Sequence, residues 1–308
     1  MKSQRSTLAC GKRSSAAGFT VVEFLVSSFI GLLVMAMAMS TTLSGRSIYR
    51  EDVVRTRIQQ NLRSAIDLIT LNARQAGESF ESTFPAITLN NGTASAPDEL
   101  VLRRNLFENE VLNVCQNLPA SSFTPSILTS NGAGNLNANC RYTAGWQTFL
   151  MTTWRNYRLA QGGTVRAYAF NRSTRAGEFF LYSGELDALG QLAVLKSSGS
   201  WTNSYTGDGV SAAFYLAEEF KYSLSGGVLQ LVVNDDTTST LNVVDGLTDF
   251  QVLAHMEDGT TKTALAATDE WTDVVSLQIT VSGSETIGGK TISDTLTSRV
   301  FARNILSH

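Results

Sequence analysis

The chain has 308 residues, 43% of them hydrophobic and 17% charged, which is long and apolar enough for a real core and excludes a disordered polymer. Its formal charge of −3 hides a segregation, because residues 1–18 carry Lys2, Arg5, Lys12 and Arg13 and no acid. Without those four cations the remainder stands at −7, which argues for a soluble outer domain and against a nucleic-acid-coating protein. Two histidines, His255 and His308, are too few for a His-rich metal centre.

The basic stretch is followed by Gly18-Phe19-Thr20-Val21-Val22-Glu23-Phe24-Leu25 and an apolar run that ends at Met39. As a helix, Phe19 to Met39 would be about 32 Å long, against a hydrocarbon core of about 30 Å. Glu23 is the one flaw in that run. A central acid costs on the order of 2.5–3.5 kcal/mol in a bilayer, and an intramembrane ionisable residue is by default a functional one with a partner. An ordinary signal peptide cut after Ala38 is opposed by the acid and by the long helical continuation. A plain membrane anchor explains the length but gives Glu23 no purpose. A lipoprotein cysteine at Cys10 has no apolar run before it.

The segment from Gly18 to Glu23, set between a basic leader and an apolar run, resembles the processing signal of type IV prepilins and type II secretion pseudopilins. The resemblance implies that a prepilin peptidase cuts between Gly18 and Phe19 and methylates the new Phe19 amine. It also implies that Glu23 assists assembly by pairing with the N-terminal amine of a neighbouring subunit. An α-amine with a reference pKa of about 7.7–8.0 is cationic at neutral pH. In a low-dielectric helix bundle the two charges attract, and either one alone is penalised.

Cleavage at that junction would remove Cys10 and leave Cys115 and Cys140, a pair expected to be oxidised in the periplasm. Such a bridge would stabilise the domain by roughly 3–4 kcal/mol. Two free buried thiols are the alternative.

The helix is expected to run on to about Gln75, since no proline occurs before Pro85. Ile48, Ile58, Leu62, Ala65, Ile66, Ile69 and Ala73 recur at helical spacing, with Arg50, Arg57, Arg63 and Arg74 on the other face. The first part would line a filament core and the second would pack on a sheet. The expected division is a leader over 1–18, the helix over 19–76 with 19–39 as membrane or filament-core segment, and a β-rich outer domain over 77–308. The fold class is therefore α+β: a long membrane-spanning helix packed on an antiparallel sheet domain, pilin-like.

Past Gly77 the pattern alternates. Residues 116–140, rich in Ser, Asn and Gly, look like a long loop held by the two cysteines. Lys221 to Leu224, a turn at Ser225-Gly226-Gly227 and Val228 to Val233 read as one hairpin. Val275, Leu277, Ile279 and Val281 read as one face of a strand, followed by a hairpin through Gly288-Gly289 to Ile292, Leu296 and Val300. Short segments, Asn61-Leu62-Arg63, Ala73 to Gly77 and Val300 to Asn304, are similar to PilW-type minor pilins; a J-type minor pseudopilin of type II secretion is the runner-up.

Enzymatic chemistry finds little support, and no cofactor is implied. Ser284 to Thr291 lacks the first glycine of a phosphate-binding loop and is followed by strand-like sequence. With His255 the only interior histidine, a Ser-His-Asp site has little to draw on, and His255 reads as a strand-end or turn residue. The acidic turn Asn234-Asp235-Asp236 lacks EF-hand spacing.

Charge in the outer domain is bipolar. No Asp or Glu occurs from Val111 to Gly177, where Arg141, Arg155, Arg158, Arg166, Arg172 and Arg175 fall among Tyr142, Trp146, Phe149, Trp154, Tyr157, Tyr168 and Phe170. Residues 178–308 then hold 17 acids against 6 bases. Interface formation with other pilin subunits is favoured over capture of single-stranded nucleic acid, and intramolecular pairing with the acidic C-terminal half is the third reading. The expected location is the inner membrane with a periplasmic outer domain, and after assembly an extracellular pilus.

Overall fold

The computed structural model describes residue 18 and residues 20–92, 96–108, 111–122, 126–130, 140, 146–188 and 191–301. The chain divides into two compact units, Met1–Val53 and Val54–His308.

Helix α1, Val21–Gln75, crosses the boundary and ends where the sequence reading places its end. Within the N-terminal unit every described side chain is exposed or half-buried, including Ile48, which the spacing had grouped with the core stripe. The buried face begins at Val54 and takes in Ile58, Leu62, Ala65, Ile66, Ile69 and Ala73. Each Ile or Leu so buried contributes about 1.5–3 kcal/mol.

In the second unit the strands are β1 Ile87–Asn90, β2 Glu99–Asn105, β3 Leu112–Asn113 and β4 Ser126–Ser130. After helix α2, Trp146–Ala160, come β5 Val165–Asn171, β6 Ala176–Ala188, β7 Gln191–Lys196 and β8 Ala212–Tyr215. The chain continues through β9 Ala217–Ser225, β10 Val228–Val233, β11 Leu241–Asp245 and β12 Leu247–Met256. It closes with β13 Thr261–Lys262, β14 Val274–Ile287 and β15 Lys290–Val300. Among the described residues three antiparallel sheets result, in the orders β1-β2-β9-β10-β11, β3-β8-β5-β6-β7-β4 and β13-β12-β14-β15. The architecture is α+β, with one long apolar N-terminal helix and antiparallel sheets.

Two apolar cores form. The larger joins α1 from Val54 onward to the first and third sheets, through residues such as Tyr222, Leu247, Phe250, Leu277 and Ile279. Gly283 of β14 lies under Ile58 and Leu62 and beside the Gly246 carbonyl, leaving no room for a Cβ; this glycine lets the helix approach the sheet closely. Asn61 adds a polar tie, its Nδ2 donating to the Asp245 carbonyl at 3.0 Å. The smaller core lies between the second sheet and α2, where Met151 and Trp154 pack with Tyr182, Val194, Trp201 and Phe214.

Helix α2 was not expected in a domain read as strands. Met151, Trp154 and Arg158 share its inward face at a three-and-four spacing, but the glycine- and asparagine-rich sequence before it masks the period. Residues 116–140 are not wholly loop either, since they contain β4 and a bridge between Leu118 and Tyr205. In β14 the inward residues are Val274, Leu277, Ile279 and Val281, while Val275 is 44% exposed. The reason is a bulge: pairing shifts between His255 and Met256, so Ser276 faces His255 and Val274 faces Met256, which turns Val275 outward. The β14–β15 turn is only Gly288-Gly289, both at positive φ, and Ser284–Ile287 and Lys290–Thr291 lie in the ladder.

Candidate functional site: the start of α1 and the arginine cluster

Thr20 and Glu23 form a reciprocal cap at the start of α1. The Thr20 backbone N–H and hydroxyl both donate to Glu23 Oε2, at 3.0 and 2.9 Å, and the Glu23 N–H donates to Thr20 Oγ1 at 3.2 Å. A helix leaves its first N–H groups without intrahelical partners, and a Thr-x-x-Glu pair satisfies two of them. The carboxylate also sits at the positive end of the helix macrodipole. Glu23 is thus held against its own helix, with Oε1 unbonded among the described residues. Sequence reasoning assigned Glu23 a role and missed Thr20, although the Thr-x-x-Glu spacing was there to be read.

The apolar run after Glu23 is solvent-facing in the isolated chain: Phe24, Leu25, Phe29, Leu32, Met35, Met37 and Met39 are all more than 60% exposed. One 18-residue window of the helix has a mean hydropathy of 2.2 and no buried residue. A row of that length and apolarity requires a lipid or protein cover, and α1 is a candidate membrane-spanning helix. Gly18 is exposed; Phe19 and the basic residues before Gly18 lie outside the described residues.

Arg141 also lies outside the described residues, and the other five arginines all meet carboxylates of the same chain. Arg155 and Arg158 converge on Glu185 at 3.0 and 2.9 Å. Arg166 reaches Asp236 at 3.4 Å, Arg172 holds Glu81 at 2.9 Å, and Arg175 pairs with Glu270. All five pair within the chain: Arg155, Arg158, Arg166 and Arg175 with the acidic C-terminal half, and Arg172 instead with Glu81, before the basic stretch. Of the aromatics interleaved with them, Trp154, Tyr168 and Phe170 are buried in the two cores and present no stacking face.

The Glu185 site is the most enclosed of these pairs, the glutamate side chain being only 4% exposed. Burial pushes its carboxyl up, but hydrogen bonds from Arg158, Tyr182 and Arg155 outweigh that and hold it below the usual carboxylate range. Burial and the bonded glutamate together push the Tyr182 phenol well above its ordinary value.

Cys115 and Cys140 lie at disulfide distance, with Cα atoms 5.6 Å apart. His255, at the end of β12, has Nε2 3.3 Å from Gln278 Oε1. Asp235 and Asp236 are engaged by Lys221 and by Thr238 and Arg166. Among the described residues no cluster of three or more His, Cys, Asp or Glu is placed to hold a metal ion.

Comparisons with protein-family models, with curated proteins and with solved structures find no match for the chain.

Proposed function

We propose that this chain is a minor pilin-like subunit: made with a basic leader, cut before Phe19, and docked through the apolar part of α1 into a filament that displays the domain beginning near Val54. The observation that carries this reading is the pairing of an exposed apolar helix start with a single carboxylate at the fifth residue past the Gly18-Phe19 junction. A plain anchor accounts for the apolar run and, through the Thr20 cap, for the acid's place at the helix start, but it leaves Glu23 Oε1 without a partner among the described residues. In a filament, the unbonded Oε1 of Glu23 would receive the cationic N-terminal amine of the neighbouring subunit, and desolvation would strengthen that pair.

The large outer domain supports a minor position, at initiation or at the tip, because so bulky a unit is hard to repeat along a dense fibre. The internal pairing of the five cluster arginines supports display of the domain over capture of nucleic acid. The test is fractionation of cells expressing the full chain. Recovery with sheared surface filaments supports the reading, and retention of the entire pool in the membrane contradicts it.

A further inference from the structure

The last strand, β15, is the outer edge of the third sheet and, among the described residues, pairs with β14 alone. Its hairpin closes through the two residues Gly288-Gly289, so Ile287 and Lys290 form the innermost, hydrogen-bonded pair. Alternation from that pair turns the N–H and C=O groups of even-numbered β15 residues toward β14. Those of Thr291, Ser293, Thr295, Thr297 and Arg299 then point outward. Side chains agree: the close hydroxyl pairs Thr286 with Thr291, Ser282 with Thr295, and Thr280 with Thr297 all fall at odd positions. All five odd residues are exposed, and among the described residues none of them bonds another strand on that side.

Natural edges are normally shortened, bulged, covered or broken by proline. This one is 11 residues long, without proline, and its pairing with β14 carries no bulge. Its guards are three charged side chains, Lys290 and Arg299 near its ends and Asp294 between them, which takes the Thr295 N–H on Oδ1 at 2.9 Å and Gln59 Nε2 on Oδ2 at 3.0 Å. Beside the edge runs a groove of about 360 Å³ between Thr56, Gln59 and Arg63 of α1 and Asp294, Thr295 and Leu296 of β15. Arg63 and Arg299 have no carboxylate partner among the described residues, in contrast to the paired arginines of the cluster.

We propose that the outward edge of β15 is a docking site for an extended acidic segment of a partner protein, added as a further strand with an acidic side chain directed to Arg63 in the groove. The backbone groups supply the affinity of strand addition, and the two unpaired arginines set the sign of the partner's charge. Asp294 competes with the incoming strand for the Thr295 N–H. This inference concerns the edge alone and does not depend on the filament reading.

The probe is a blocked peptide of about seven residues in which valine alternates with glutamate and threonine. It is added at millimolar concentration to the detergent-solubilised full chain, and amide exchange is read residue by residue. The peptide should slow the outward amides of Ser293, Thr295 and Thr297 about tenfold or more while leaving those of Leu296 and Ser298 unchanged. Thr297→Pro places its ring on the free side of the strand and should abolish the effect. Arg63→Glu, on the exposed helix face, should weaken binding without touching the strand, and Asp294→Ala should tighten it. Outward amides that exchange at the same rate with and without peptide would overturn the proposal. So would a peptide bound equally well by the Arg63→Glu chain.

Discussion

Glu23 accepts two hydrogen bonds from Thr20, so one residue has two separable duties: capping its own helix and offering a charge to a neighbour. Glu23→Gln keeps a cap of the same shape and removes the charge, whereas Glu23→Val removes both. If a charge pair drives docking, both variants should insert in the membrane and both should be lost from filaments. Filament incorporation of Glu23→Gln near the level of the unaltered chain, with only Glu23→Val defective, would show that the cap alone is what matters. A pure anchor predicts that the unaltered chain and both variants alike stay in the membrane fraction.

Gly77 stands two residues beyond the end of α1 and lies beneath the Trp271 indole, at φ +81°. An added Cβ would fall within the ring's van der Waals envelope, and the positive φ disfavours any other residue. Gly77→Ala should therefore destabilise the second unit by roughly 1–3 kcal/mol, seen as a lower melting temperature with α1 helicity retained. An unchanged melting temperature would mean that the indole shifts freely.

The Glu185 carboxyl is held below its usual value in the folded chain, so its contribution is present above the unfolded pKa near 4.5 and is lost as pH falls through the lower folded value. Glu185→Gln leaves Arg155 and Arg158 without their shared partner and should cost about 3 kcal/mol at neutral pH. The deficit should shrink as pH falls from the unfolded value through the lower folded one, where the natural side chain also becomes neutral. A deficit that does not vary with pH would place the loss in packing and not in charge.

Cys115 and Cys140 close a 25-residue separation around β4. Non-reducing mass spectrometry should find them joined, and reduction should lower stability by about 3 kcal/mol. Two thiols open to alkylation in the unreduced protein would refute the bridge.

What could be read from the sequence was what depends on local rules. The end of α1 at Gln75, the Gly226-Gly227 and Gly288-Gly289 turns and the inward residues Leu277, Ile279 and Val281 all follow from periodicity or from positive-φ glycine chemistry. What could not be read depends on distant partners. Val275 turns outward because of a bulge set by β12, and the arginines find carboxylates between 27 and 95 positions away. Helix α2 was hidden by the composition around it. At the candidate site Glu23 stood out as a lone charge in an apolar run, while Thr20, a residue that draws no notice, proved to be its immediate partner.

The central claim rests on the Gly18-Phe19 junction, and the most direct measurement is N-terminal sequencing with mass spectrometry of the chain recovered from the producing cell. The account predicts a single start at Phe19 bearing a methylated amine, with Glu23 fifth in the processed chain. A start at Met39, after Ala38, or an uncut chain beginning at Met1, would contradict it.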